Sequence, residues 1–334
     1  MNNKLAYFLS KSSMFGLGYF LLCNLNDKNT YLSIILGTIL GLFIIYIYSK
    51  ISNYSNYNIH KYLNNTFIGK IFNIILLLFY IYILLITILT ITTFINSFYL
   101  IKTPRIIIIL SILLLSIYLS FKDNKTLINL SNLFFCFSIF IVILFTILLI
   151  PYSNINELLP ILNYNNINII KGSIIYALIS TVPLIIINNY NTNIKITLKN
   201  YLVASIINLT IVIGTTLSLG NLLNVYRFPE YAVLKQIRIL DFIENIENIS
   251  AFGWYAESFI VISLTIFNIK DTLSFKYNKL YLVILLLSLI PMLILSNNYD
   301  LLLKVFYIHP YILLIFFIIF LLLLIYLKLK KKYQ

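Results

Sequence analysis

The sequence predicts an all-α polytopic membrane protein. Ten transmembrane helices form two five-helix halves in inverted repeat, with both termini in the cytoplasm. Three observations lead there. The 334 residues are 61% hydrophobic and only 10% charged, with mean hydropathy +0.96. A soluble domain carries about 25% charged residues, so lipid must be the solvent for most of this surface. The apolar residues come in runs of about 20, the length one helix needs to cross the hydrocarbon core. Finally, the first and sixth runs are interrupted at matching positions, as in transporters built from inverted repeats.

Taken in order, the runs fall at 5–23, 31–49, 71–98, 104–121, 128–150, 170–189, 201–220, 242–268, 280–296 and 307–327. They are too long for barrel strands, and the Asn- and Lys-bearing connectors do not recur at barrel spacing. The opening MNNKLAYFLSKSSMFGLGYFLLCN has no small-residue cleavage site and reads as the first span rather than a removed signal. The polar, Tyr-rich connector at 53–66 reads as a cytoplasmic interfacial segment. The whole is a single transmembrane domain: repeat one covers about 5–150, repeat two about 170–327, and 328–334 is a basic cytoplasmic tail. That tail reads as a stop-transfer anchor, with a lipid-binding polybasic switch as the other reading.

An even number of spans puts both termini on one side. With the termini inside, 16 of the 24 basic residues fall in inner segments and 8 in outer ones, which satisfies the positive-inside rule. The connector 151–169 holds Pro151, Glu157 and Pro160 but no basic residue, as an outer loop should. The formal charge of +14 therefore reflects topology, not affinity for nucleic acid. Cys23 and Cys136 both lie in apolar runs and offer no disulfide framework. With only His60 and His309 there is no metal-ligand cluster, and no cofactor is expected. No nucleophile elbow, phosphate-cradling loop or zinc-protease motif occurs, so no enzyme is expected.

Span 1 carries Lys11, Ser12, Ser13, Gly16 and Gly18 within eight residues, although the chain has only nine glycines. Span 6 has Ser180, Thr181 and Pro183 near its centre. Pro183 removes a helical hydrogen bond, and neighbouring hydroxyls can re-satisfy freed carbonyls. Paired breaks of this kind expose backbone N–H groups that bind ligand carboxylates. The ligand-binding candidates are therefore Ser12, Ser13, Gly16, Gly18, Ser180, Thr181 and Pro183, with Tyr176 and Trp254 giving side-chain selectivity. The plainer reading is close helix packing at Gly and Ser and a simple kink at Pro.

Span 8 alone places acids within an apolar run. At 100° per residue, Glu247, Ser250, Trp254, Glu257, Ser258, Thr265 and Asn268 share a stripe about 100° wide, while Phe252, Phe259, Ile260 and Ser263 lie off it. A polar stripe along a membrane helix faces the bundle interior. With the outer end at residue 242, Glu257 lies about 22 Å down the helix, and Glu244 and Glu247 sit at the outer interface. Two readings of Glu257 stand side by side: a proton-coupling or substrate-amine site, or a structural ion pair with Lys11 as the candidate partner.

Before span 8, Tyr226–Ile249 concentrates charge. Val233, Leu234, Ile237 and Leu240 form one apolar face of a short outer helix, and Lys235, Arg238 and Asp241 face water. The cluster reads as mostly solvated surface, an outer lid at the mouth of the polar stripe. Phe228 and Pro229 open it, Phe242-Ile243-Glu244-Asn245-Ile246-Glu247 enters span 8, and Trp254 follows. This pattern resembles the signature of the endospore germination permeases, the B subunits of spore germinant receptors in the amino acid–polyamine–organocation transporter superfamily. Pro229, Phe242, Glu244 and Glu247 are the signature positions. The sequence departs from the family in having no proline after Gly16 and Gly18, and Asn245 where an Arg is frequent. The resemblance implies the five-plus-five fold of amino acid permeases, with a ligand pocket between spans 1, 3, 6 and 8. It also implies residence in the spore inner membrane beside a larger membrane subunit and a lipoprotein, and an amino acid or similar small nutrient as ligand. A proton-coupled amino acid permease and a scaffold without a site are the other functions compatible with it.

Overall fold

The computed structural model describes residues 4–55, 59–64, 66–159, 166–189, 194–237, 245–273 and 280–332. Every regular element among them is helical. The chain begins with α1 (Leu5–Ser12), an irregular turn at Met14–Gly18, α2 (Tyr19–Asn26) and α3 (Thr30–Tyr54). A short α4 (Ile59–Leu63) precedes α5 (Phe67–Phe98), α6 (Arg105–Ser120) and α7 (Asn124–Leu149). In the second half, α8 (Asn166–Thr181) passes into a 3₁₀ segment at Val182–Asn189. Then come α9 (Ile194–Leu219), a short α10 (Pro229–Leu234), α11 (Glu247–Leu273), α12 (Leu280–Asn297) and α13 (Tyr299–Lys332).

Among the described residues, eight helical stretches are long and apolar enough to cross a membrane, and α6 is a shorter apolar helix. The first stretch, Leu5–Tyr54, has 50 residues, twice what one crossing needs. The prediction of ten spans divides it at Asp27, where φ is 48°, and adds α6. Surfaces that the helices turn outward are apolar: Ile39, Phe43, Leu114, Leu133, Leu286 and Tyr311 are all exposed. In water such a surface would aggregate; in hydrocarbon it is the expected solvent contact.

The elements differ from the sequence expectation in several places. α13 continues through Lys332, so most of the predicted tail is helix; Lys330 Nζ donates to the Tyr62 carbonyl at 2.9 Å. α4 packs one face on the bundle: Ile59, His60 and Leu63 are buried, with His60 Nδ1 2.5 Å from Asn73 Oδ1 of α5, while Lys61 is exposed. α11 begins at Glu247 rather than 242, which brings Glu257 within about 15 Å of the helix start, shallower than the sequence suggested.

Contacts pair the helices in a regular way. α3 packs on α8 and α9 on α1; α5 packs on α12 and α11 on α6; α13 packs on α3 and α7 on α9. The centre of the bundle is the α5–α11 contact. Polar bonds sort the connectors into two groups. At one end Lys28 pairs with Glu157 at 2.6 Å, Asn224 bonds Asp27, and Tyr99 bonds Tyr231 and Asn248. At the other, Lys4 bonds Asn200, Lys270 the Ser120 carbonyl, and Thr66 Tyr326. These are the same two groups that charge placed outside and inside.

Candidate functional site

The break in the first span is built by backbone angles. Phe15 takes ψ 128° and Gly16 takes φ 64°, both non-helical, so α1 and α2 are separated in the middle of the bundle. Only glycine holds such a positive φ without strain. Gly16 is also tight: a Cβ there would lie 2.6 Å from the Phe228 ring and 3.2 Å from Thr90. Above it Phe15, Phe94, Phe228, Tyr231 and Trp254 stack into one aromatic cluster, with centroids 4.6 Å apart for Phe15 and Trp254. The sixth span changes from α to 3₁₀ geometry at Val182, next to Pro183.

Below the break, α1 turns Lys11 towards α11. Lys11 Nζ lies 2.5 Å from Glu257 Oε1, and both side chains are buried. Ser138 of α7 donates to the same Glu257 oxygen at 2.6 Å and accepts from Lys11 at 2.8 Å. Tyr7, one turn before Lys11, sits 2.6 Å from Ser138. Buried charges survive when paired and hydrogen-bonded, and this cluster meets both conditions. Of the two sequence readings of Glu257, the ion pair with Lys11 is present in the structure.

A second carboxyl approaches from outside. Phe228 and Pro229 start α10 with proline at its first position, where no N–H is needed. Glu230 follows, 3% exposed, and its Oε1 accepts a hydrogen bond from the Gly16 backbone N–H at 2.8 Å. Oε2 is buried without a hydrogen-bond partner among the described residues. Burial pushes this carboxyl up to about 7, with the Gly16 N–H holding it lower than burial alone would. Glu230, Glu257 and Lys11 all line one cavity of about 220 Å³. Its other walls come from α7, α9, α10 and α11 and are mainly apolar: Ile141, Phe145, Leu149, Ile211, Leu234 and Trp254.

The predicted ligand residues do not gather in one place. Trp254 lines the 220 Å³ cavity. Ser12, Ser13 and Pro183 line a second cavity of about 30 Å³ with residues of α5, α11 and α13. That is where a pocket between spans 1, 3, 6 and 8 was expected, and it holds about one water. Gly16 turns its N–H to Glu230, and Gly18 packs on Met14. Ser180 and Thr181 donate to the Tyr176 and Ala177 carbonyls of their own helix, one turn back, and Tyr176 is fully buried 3.5 Å from Asn208. The hydroxyls therefore serve carbonyls other than that of Ile179, which Pro183 frees.

The polar stripe of α11 is buried along its length, Glu247 included, while Phe252 is exposed. Glu247 is thus not at a solvated interface. Ile260 and Ser263, off the stripe, are buried too, because α11 is surrounded at depth. The amphipathic face expected of the lid segment is present at Val233, Leu234 and Ile237, which are buried, and Lys235, which is exposed. Leu240, Arg238, Asp241 and the signature residues Phe242 and Glu244 lie outside the described residues. The reading of the charge cluster as solvated surface fails at Glu230. Periodicity carried the signal: Glu230, Val233, Leu234 and Ile237 follow the spacing of one helical face. Ser138 and Tyr7 carried no such signal.

No curated protein matches the chain. A family model described as spore germination protein, the spore permease, matches residues 2–300, which includes the broken first span, the lid and the polar helix α11. The chain belongs to the spore germination permease family.

Proposed function

We propose that this protein is the permease-like subunit of a nutrient germinant receptor and binds an amino acid or similar small nutrient in the cavity beside the broken first span. The observation that carries the reading is that the Lys11–Glu257 pair, Glu230 and Trp254 line one 220 Å³ cavity, with Glu230 bonded to the Gly16 N–H of the helix break. A site of this size suits a small metabolite rather than a drug-sized ligand. Its apolar walls with a few convergent charged groups are what a nutrient with one polar head requires. Glu257 and Trp254 are the predicted residues that contribute, joined by Lys11 and Glu230. The small cavity at Ser12, Ser13 and Pro183 lies on the opposite face of α1.

The paired contacts of α3 with α8 and α9 with α1, and of α5 with α12 and α11 with α6, are exchanged if spans 1–5 map onto spans 6–10. They support the inverted repeat, repeat one about 5–150 and repeat two about 170–327, while the 16-to-8 split of basic residues supports N-in, C-in topology. The protein would reside in the spore inner membrane with a larger membrane subunit and a lipoprotein. One feature favours the second reading, a proton-coupled amino acid permease: the carboxyl of Glu230, which burial pushes up to about 7. A deletion strain tested for germination against a nutrient panel, with uptake of the same labelled nutrients by the purified protein in liposomes, separates them. The receptor reading expects a germination defect restricted to particular nutrients. Uptake with normal germination would overturn it.

A further inference from the structure

The break in the first span offers one obvious donor to a ligand carboxylate, the Gly16 N–H, and Glu230 already occupies it at 2.8 Å. Among the described residues the cavity's one lining cation, Lys11, is committed to Glu257 and Ser138. The hydroxyls of Thr146, Ser153, Thr210 and Thr215 each donate to a carbonyl of their own helix or its end, which leaves the Ser250 hydroxyl as a neutral donor in the lining. Among the described residues, the cavity therefore presents no uncommitted charged donor. Its acceptors are different. The lining holds two carboxyls, Glu230 and Glu257, against one ammonium. Glu230 Oε2 is buried and unpartnered. A buried carboxylate oxygen without a donor costs free energy that a ligand donor would recover. Trp254 adds an aromatic wall, on which a cation is also favoured.

We infer that the cavity recognises its ligand by a cationic amino group held on Glu230 Oε2, and that the ligand class is small primary amines with an apolar body, amino acids among them only by virtue of the amine. This deepens the nutrient-binding reading and rests on it. The chemistry differs from recognition by the freed backbone of the break, because a side chain of the lid has taken the place a ligand carboxylate would fill.

The test uses three compounds with one side chain on the full-length wild-type protein in lipid nanodiscs, by calorimetry: leucine, leucinamide (amine without carboxylate) and N-acetylleucine (carboxylate without amine). Leucine and leucinamide should bind alike. N-acetylleucine should bind at least about ten-fold more weakly, the factor a charge-assisted hydrogen bond is worth. The variant Glu230→Gln should lose a similar factor for leucinamide. N-acetylleucine binding as well as leucinamide, or an unchanged leucinamide affinity in Glu230→Gln, overturns this inference and leaves the nutrient reading standing. Binding of none of the three to wild type overturns both.

Discussion

The Glu230 carboxylate accepts the backbone N–H of Gly16 at 2.8 Å, across 214 positions of sequence. The contact ties the outer lid to the interrupted core of the first span. It gives one backbone group freed by the break an internal partner, and it makes the lid part of the site rather than a cover over it.

The first expectation concerns Gly16 itself. Gly16→Ala places an L-residue at φ 64° and drives a Cβ into the Phe228 ring. A left-handed residue costs roughly 1–2 kcal/mol and overpacking about 1–3 kcal/mol more. The variant should lose several degrees of thermal stability in detergent. Gly214→Ala is the contrast: its nearest atom, a Leu149 methyl, is 3.7 Å away, and helical Ala is favoured over Gly by up to about 1 kcal/mol. Equal melting temperatures for the two variants would show that the break does not depend on glycine.

Stability should also depend on pH through Glu230. Its folded pKa, about 7, lies above the ordinary 4.5, so the folded state binds the proton more tightly than the unfolded state does. That contribution is fully present below pH 4.5 and is lost as pH rises to about 7, by about 3 kcal/mol in all. In Glu230→Gln this component is absent. Melting curves of the two proteins between pH 4.5 and 8 should diverge as pH rises, with wild type falling relative to the variant, and run parallel above pH 7. Parallel curves throughout would mean that the carboxyl is not buried in solution.

Much of this arrangement is legible in the sequence, and the part that is not has a physical reason. Runs of apolar residues mark helices because lipid admits no unpaired backbone, and Gly16 marks the break because its neighbours are otherwise helix formers. Helix ends are harder to read. α13 extends through Lys332 because Lys and Leu favour helix on either side of the membrane boundary, and hydropathy sees only the apolar part. Lys11 and Glu257 could be named as candidate partners because each is rare in an apolar run. Glu230 was hidden by its charged neighbours, although its spacing from Val233 and Leu234 put it on the buried face. Ser138 reaches Tyr7 and Lys11 across 131 and 127 positions, and nothing local distinguishes it from the other serines of the apolar runs.

The Lys11–Glu257 pair predicts non-additive mutations. Lys11→Met strands a buried carboxylate and Glu257→Gln strands a buried ammonium, since both side chains are at most 5% exposed. Breaking a buried pair from one side costs about 3–5 kcal/mol, whereas replacing both charges is close to neutral. The double variant should therefore melt nearer to wild type than either single variant. Losses that simply add would mean that the two charges are solvated independently. If the pair is structural, the double variant also keeps leucine affinity; if Glu257 holds the ligand, stability returns and affinity does not.

The short helix α6 decides the topology. Its 16 residues span about 24 Å, less than the roughly 30 Å hydrocarbon core, yet the ten-span count and the inverted repeat both need it to cross. Its flanks contain exposed lysines on either side, Lys102 and Lys125. Arg105 at its start bonds Asn96, and Lys122 just past its end lies over the Tyr118 ring, an arrangement in which polar groups at both ends reach the two interfaces. With the exposed Cys136 changed to Ser and Cys23 left buried, Lys102→Cys should react with a membrane-impermeant maleimide on intact cells. Lys125→Cys should react only after the membrane is opened. The opposite labelling pattern would invert the orientation and leave the repeat intact. Labelling of both positions from one side would remove α6 as a span, and the five-plus-five repeat would fall with it.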